Sequence, residues 1–206
     1  MTSHAQRRLI VALSGASGQL YGIRLLEVLR EARASGQPDA IETHLVISDA
    51  ARITIAQETD LTPRQVEALA DHVYRARDIG AAIASGSFNT LGMVVAPCSI
   101  KTLSAIATCY SADLTSRAAD VQLKEGRPLL LLVRETPLHL AHLRMMTQAA
   151  EAGAIIMPPV PAFYSRPQTL DDIVNGTVGR MLARLGIENE LYHRWLGVGA
   201  SETPEP

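Results

Sequence analysis

Lysine is nearly absent from this chain: Lys101 and Lys124 are the only two, and every other basic side chain apart from histidine is arginine. An arginine-leaning composition with two survivors would look the same. Even so, an ammonium and a guanidinium grip anions differently, which makes both positions site candidates. Cysteine is as scarce, with Cys98 and Cys109 the only pair. Two such residues make no disulfide framework, their spacing matches no zinc motif, and the chain reads as cytoplasmic. Net charge is small, -2 at pH 7, which gives no reason to expect nucleic acid or an anionic membrane as partner. The apolar run near the start, Leu9 to Leu13, is too short for a signal sequence or a membrane span, so no membrane insertion is expected. Repeats, linkers and low-complexity blocks are missing too. One domain over 1–206 is expected, with a mobile tail after about 197.

What is present alternates. Leu9-Ile-Val-Ala-Leu13 reads as a buried strand, and after the turn Ser14-Gly-Ala-Ser-Gly18 the apolar residues Leu20, Ile23, Leu26 and Leu29 recur at helical spacing. His44 to Ile47 is a second strand, with Ser48 and Asp49 placed to cap a helix running to Glu58. Thr62-Pro-Arg-Gln65 is a capping box that predicts a helix to about Ala70. Asp71 to Thr90 is the least regular stretch. Leu91 to Ala96 reads as a strand stopped by Pro97, followed by helices over Ser99–Thr108 and Leu114–Lys124. Leu129 to Val133 is another buried strand, and Ala154 to Met157 one more, with a helix from about His139 to Ala152 between them. Pro158, Pro159 and Pro161 interrupt regular structure before a last helix, Leu170 to Leu185. This order predicts a Rossmann-like three-layer α/β sandwich on a mainly parallel sheet.

In such a sheet ligands collect at the carboxyl ends of the strands. Those ends carry Ser14 to Gly18, Ser48, Pro97 to Thr102, Arg134-Glu135 and Pro158 to Tyr164, a rim suited to a polyanion. The glycine turn is neither a dinucleotide fingerprint nor a P-loop, and an ordinary tight turn explains it equally well. Ser99-Ile-Lys-Thr102 offers two hydroxyls and an ammonium at a helix start, as a phosphate site or as a plain serine cap. Arg117, Asp120, Lys124 and Glu125 fall at helix-neighbour spacing, and the pattern alone favours a salt-bridged solvated face. Arg134-Glu135 ends an apolar strand either as an ion pair or as part of a site. Glu58 carries a poor local signal. Trp195, the only tryptophan, serves equally as an anchor for the C-terminal segment or as a ligand contact. Cys98 has no neighbouring base and reads as a buried small residue.

Gly15-Ala-Ser-Gly18 with Tyr21-Gly22, Pro97-Cys-Ser-Ile-Lys-Thr-Leu103, Arg117-Ala-Ala-Asp120 with Leu123-Lys-Glu125, Arg134-Glu-Thr-Pro-Leu138 and Pro158-Pro-Val-Pro-Ala-Phe-Tyr164 resemble the UbiX family of flavin prenyltransferases, in order from about Arg8 to Trp195. The resemblance implies a flavin-binding Rossmann-like domain that joins a dimethylallyl group from dimethylallyl phosphate to reduced FMN without a metal. The product it implies is prenylated FMN, the cofactor of a UbiD-type decarboxylase, as in ubiquinone synthesis. It further implies a homododecamer with sites at subunit junctions. Carried over by position, Gly15, Ala16, Ser17, Ser48, Ser99, Ile100, Lys101, Thr102 and Arg134 would hold FMN. Arg117, Lys124, Tyr164 and Arg180 would surround the donor phosphate, some from neighbouring subunits. Glu135 would donate a proton, Ser17 and Glu58 would handle protons near the flavin, and Trp195 would face the prenyl group. Two rival readings are a related cysteine-decarboxylating flavoprotein and a passive flavin carrier. The first depends on an early histidine whose usual surroundings are not found here, and the second needs no Lys124, Glu135, Tyr164 and Arg180 set beside the flavin.

Overall fold

The computed structural model describes residues 7–37, 40–195 and 197, and the tail expected to be mobile lies outside them. Six strands form one sheet: β1 (Arg8–Leu13), β2 (Glu42–Ile47), β3 (His72–Arg75), β4 (Gly92–Cys98), β5 (Leu129–Val133) and β6 (Ile155–Ile156). Every pairing is parallel, and the spatial order is β3-β2-β1-β4-β5-β6. Parallel neighbours need crossovers, and the helices supply them: α1 (Gln19–Ala34), α2 (Asp49–Glu58), α3 (Pro63–Glu67), α4 (Ile100–Ala107), α5 (Leu114–Lys124), α6 (Leu140–Glu151) and α7 (Leu170–Arg184).

The pleat of β1 divides the core. Leu9, Val11 and Leu13 pack with Leu26 of α1, Ile55 of α2 and Val178 of α7 on one face. Ile10 and Ala12 pack with Leu103 of α4, Leu114 of α5 and Ala149 of α6 on the other. Gly22 explains how α1 lies so close to the sheet: a Cβ there would stand 2.2 Å from the Ala96 carbonyl oxygen. Alanine at this position should therefore push the helix outward.

Two expectations need correcting. Residues 71–90 are not simply irregular, because His72–Arg75 pairs with β2 as the edge strand. Three of its four residues are exposed, so no apolar alternation marks it. Pro97 does not stop β4, which runs on to Cys98. The pairing with β5 slips between Val95 and Cys98, and an irregularity of this kind accommodates a residue with no N–H to give. Elsewhere the differences are at boundaries: α3 ends at Glu67 and β6 is only two residues long.

Candidate functional site

Strand order reverses between β1 and β4, which opens a crevice outside their carboxyl ends. Backbone bonds stitch the four strand ends around it. Ser48 N–H donates to Leu13 O at 3.0 Å, Ser14 N–H to Pro97 O at 3.2 Å, and Arg134 N–H to Cys98 O at 3.1 Å. Ser14 adds its hydroxyl, donating to Pro97 O at 2.8 Å and accepting Ser99 N–H at 2.7 Å. The loops bearing Gly15, Ala16, Ser17, Ser48, Ser99 to Thr102 and Arg134 thereby share one rim.

Glu58 is the pivot of this rim. Gly18 sits at the N-cap of α1 with φ 99°, a left-handed conformation glycine takes without strain, and it has no side chain to cap the helix. Glu58, at the far end of α2, fills that role. Its Oε2 accepts Gly18 N–H at 2.8 Å and Gln19 N–H at 3.0 Å. Burial pushes the Glu58 carboxyl up, but a hydrogen bond from the Ser17 side chain, the two backbone N–H groups and the nearby Arg134 charge outweigh it. The carboxyl is held below its ordinary value. The ionised carboxylate is thereby favoured beside Ser17.

The hydroxyls at the other helix starts are occupied as caps. Ser48 Oγ accepts Ala51 N–H at 3.1 Å. Ser99 Oγ accepts Thr102 N–H at 3.3 Å and lies 3.1 Å from Thr102 Oγ1. Capping leaves the N–H groups of Ile100 and Lys101 with no intrahelical carbonyl to bond, the usual donors for an anion. The Lys101 ammonium and the Arg134 guanidinium are exposed, and neither forms an ion pair among the described residues. Helix-start donors, free hydroxyl capacity and two available cations fit a phosphate-bearing flavin. Cys98 plays no part as a nucleophile, since it is fully buried and burial drives its thiol far above the ordinary range.

The donor-side residues are scattered. Arg117 pairs with Asp120 at 2.9 Å, and Lys124 with Glu125 at 2.6 Å, so the salt-bridged helix face is real. Lys124 ends α5, just before β5 begins, and so lies by the amino edge of the sheet. That edge is about 20 Å from the rim across the seven residues of β4, at about 3.3 Å each. Arg180 and Tyr164 line a cavity of about 610 Å³ between α7 and the proline-rich segment, with Asn175, Tyr192 and His193. Arg180 lies over the Tyr192 ring at 5.6 Å. Trp195 packs edge-on to Tyr164 with centroids 5.6 Å apart, yet it is 63% exposed, so it anchors no C-terminal segment to the core. Of the two readings of Arg134-Glu135, the ion pair does not form among the described residues: Glu135 is exposed and accepts Thr136 N–H at 3.0 Å. The strand ends at Val133, two residues before it.

One residue of the rim escaped the sequence reading, which places Ser14 there without its role as a stitch. Gln19, fully buried, donates from Nε2 to Ser14 O and Ala16 O, both at 2.8 Å, and so shapes the loop before α1. A glutamine at the first position of an apolar helix was the available signal.

Comparisons with known proteins bear on this arrangement. The flavoprotein family model matches residues 1–182. The chain is 62% identical over 193 residues to the flavin prenyltransferase UbiX of Escherichia coli K12, covering 93% of this chain and 99% of that one. A crystal structure of AnUbiX (PadA1) in complex with FMN and dimethylallyl pyrophosphate superposes with a TM-score of 0.88 at 47% identity, covering 94% and 99% of the two chains. A dodecameric FMN-dependent UbiX-like decarboxylase from Escherichia coli O157:H7 gives 0.87 at 47% identity, with 92% and 100% covered.

Proposed function

The chain belongs to the flavoprotein family and, within it, to the UbiX flavin prenyltransferases, and from that premise we propose how its residues divide the reaction. It is an enzyme that transfers a dimethylallyl group from dimethylallyl phosphate to reduced FMN, making prenylated FMN. The full-length likeness to UbiX carries this reading. The bonded rim at the β1–β4 crevice supports it.

Gly15, Ala16, Ser17, Ser48, Arg134 and the Ser99–Thr102 turn bind the flavin as one flavin-binding domain. When bound, the reduced flavin supplies the nucleophilic ring that accepts the allylic group. Ser17 relays a proton to ionised Glu58, which is already oriented by its bonds to α1. Arg117, Lys124, Arg180 and Tyr164 stabilise the phosphate as it leaves, and Glu135 donates a proton to it. Trp195 shields the allylic cation from water. Because one chain separates Lys124 from the rim, the phosphate set is completed by neighbouring copies. A homododecamer, the state of the Escherichia coli O157:H7 protein, provides them. The product serves a UbiD-type decarboxylase in the cytoplasm. Among the described residues no helix is long and apolar enough to cross a membrane.

Anaerobic incubation with reduced FMN and dimethylallyl phosphate, followed by mass analysis of the flavin, tests the reading. One added five-carbon unit is the expected result. An unmodified flavin with both the monophosphate and the diphosphate donor would overturn it.

A further inference from the structure

A second cluster sits away from the flavin rim, on the β2–β3 edge. Glu42 opens β2, His44 lies two residues on along the same face, and His72 pairs with His44 across the parallel ladder. Glu42 Oε1 lies 2.9 Å from His44 Nε2 and 3.1 Å from His72 Nε2, and the three donor atoms all fall within 4.8 Å of one another. We infer that Glu42, His44 and His72 bind one divalent transition-metal ion of the zinc class, which clips the edge strand β3 to β2.

Two observations argue for it, the donor spacings and an outer partner for His44. Tetrahedral zinc with bonds of about 2.0–2.2 Å sets its donors about 3.3 Å apart, close to the two shorter spacings here. The two imidazoles are stacked, with centroids 4.7 Å apart and planes 13° from parallel, so the exposed His72 ring has to turn for both Nε2 lone pairs to meet on one ion. His44 also has the outer partner that ligating histidines have: its Nδ1 lies 2.9 Å from Tyr74 Oη. With Nδ1–H donating to that oxygen, the Nε2 lone pair faces the cluster.

Burial divides the tasks. Glu42 and His44 are buried and fixed, whereas the His72 side chain is 52% exposed and has room to swing inward. Two nitrogens and one oxygen suit zinc, copper, nickel or cobalt rather than magnesium or calcium. Arg8 Nε stands 3.5 Å from Glu42 Oε1, and its guanidinium covers the Phe88 ring at 4.6 Å. That positive charge weakens the ion's hold. His44 is four residues from Ser48, about 13 Å along β2, so the site is separate from the flavin rim.

Titration of the intact protein with cobalt(II), read by calorimetry and by the visible absorption of the bound ion, tests the site. One ion per chain should bind, with a tetrahedral spectrum and a saturable rise in Tm, while magnesium produces neither. His72→Ala should weaken binding at least 10–100-fold, and Tyr74→Phe, which keeps the ring, by roughly 10–100-fold. His72 is exposed and Tyr74→Phe is conservative, so both variants should fold. The inference is overturned if the wild-type protein binds no stoichiometric ion, or if both variants bind as the wild type does.

Discussion

At the rim, a single chain brings its chemistry together; at the donor side, it does not. Ser14, Ser17, Ser48, Glu58, Ser99 and Arg134 come from four strand ends and one helix end, yet hydrogen bonds join those ends into one edge. Arg117 and Lys124 lie on α5, Arg180 and Tyr164 line a cavity by α7, and Glu135 and Trp195 are exposed. The flavin half is thus a product of topology, because parallel strand order alone sends those loops to one place. On the proposed reading the donor half is a product of surfaces, brought together by a second copy of the chain.

Variants on the donor side should separate chemistry from flavin binding most sharply. Glu135→Gln keeps the shape but removes the proton, and turnover should fall about 10²–10⁴-fold with FMN affinity unchanged. Single-turnover kinetics beside FMN titration would read both quantities. Near-wild-type turnover would take Glu135 out of the chemistry. Lys124→Leu should lower turnover by about 10²–10³-fold, the scale for losing one donor to developing charge, again without loss of FMN binding. Equal loss of both would make the Lys124–Glu125 pair structural.

The rim should respond in the opposite way. In a Ser99→Ala, Thr102→Ala double variant, FMN affinity should drop by about 1.5–3 kcal/mol, the scale of a hydrogen bond to a charged ligand. Fluorescence titration checks it, and unchanged affinity in a folded protein would leave these hydroxyls as caps only. On stability alone, Glu58→Gln should cost about 1 kcal/mol, comparable to a helix cap. The folded carboxyl is held below its ordinary value of 4.5, so its stabilising contribution is complete above that pH. The contribution fades as pH falls through the lowered value. Urea unfolding should therefore separate variant from wild type at neutral pH and bring them together in strong acid.

The same contrast governs what the sequence made legible. Apolar runs such as Leu129 to Val133, and the 3.6-residue rhythm of α1, announce buried elements directly. The rim followed, because a parallel sheet has only one carboxyl edge. β3 stayed hidden because an exposed four-residue edge strand has no buried face to impose a pattern. The cap from Glu58 to α1 stayed hidden because it joins residues 40 apart in sequence. The roles of the donor residues came only through the family resemblance. Lysine's scarcity singled out Lys124, but its pairing with Glu125 resembles that of any solvated helix end.

The central claim is that the rim of one chain works with the phosphate-binding cations of another. Mixing Lys124→Leu subunits with Arg134→Ala subunits, then dissociating and reassembling the oligomer, tests it most directly. Each variant alone should be inactive in prenyl transfer. The reassembled mixture should regain turnover, because some junctions pair an intact rim with an intact lysine. Mixed oligomers that form but make no prenylated flavin would contradict the account and return both halves of the site to a single chain.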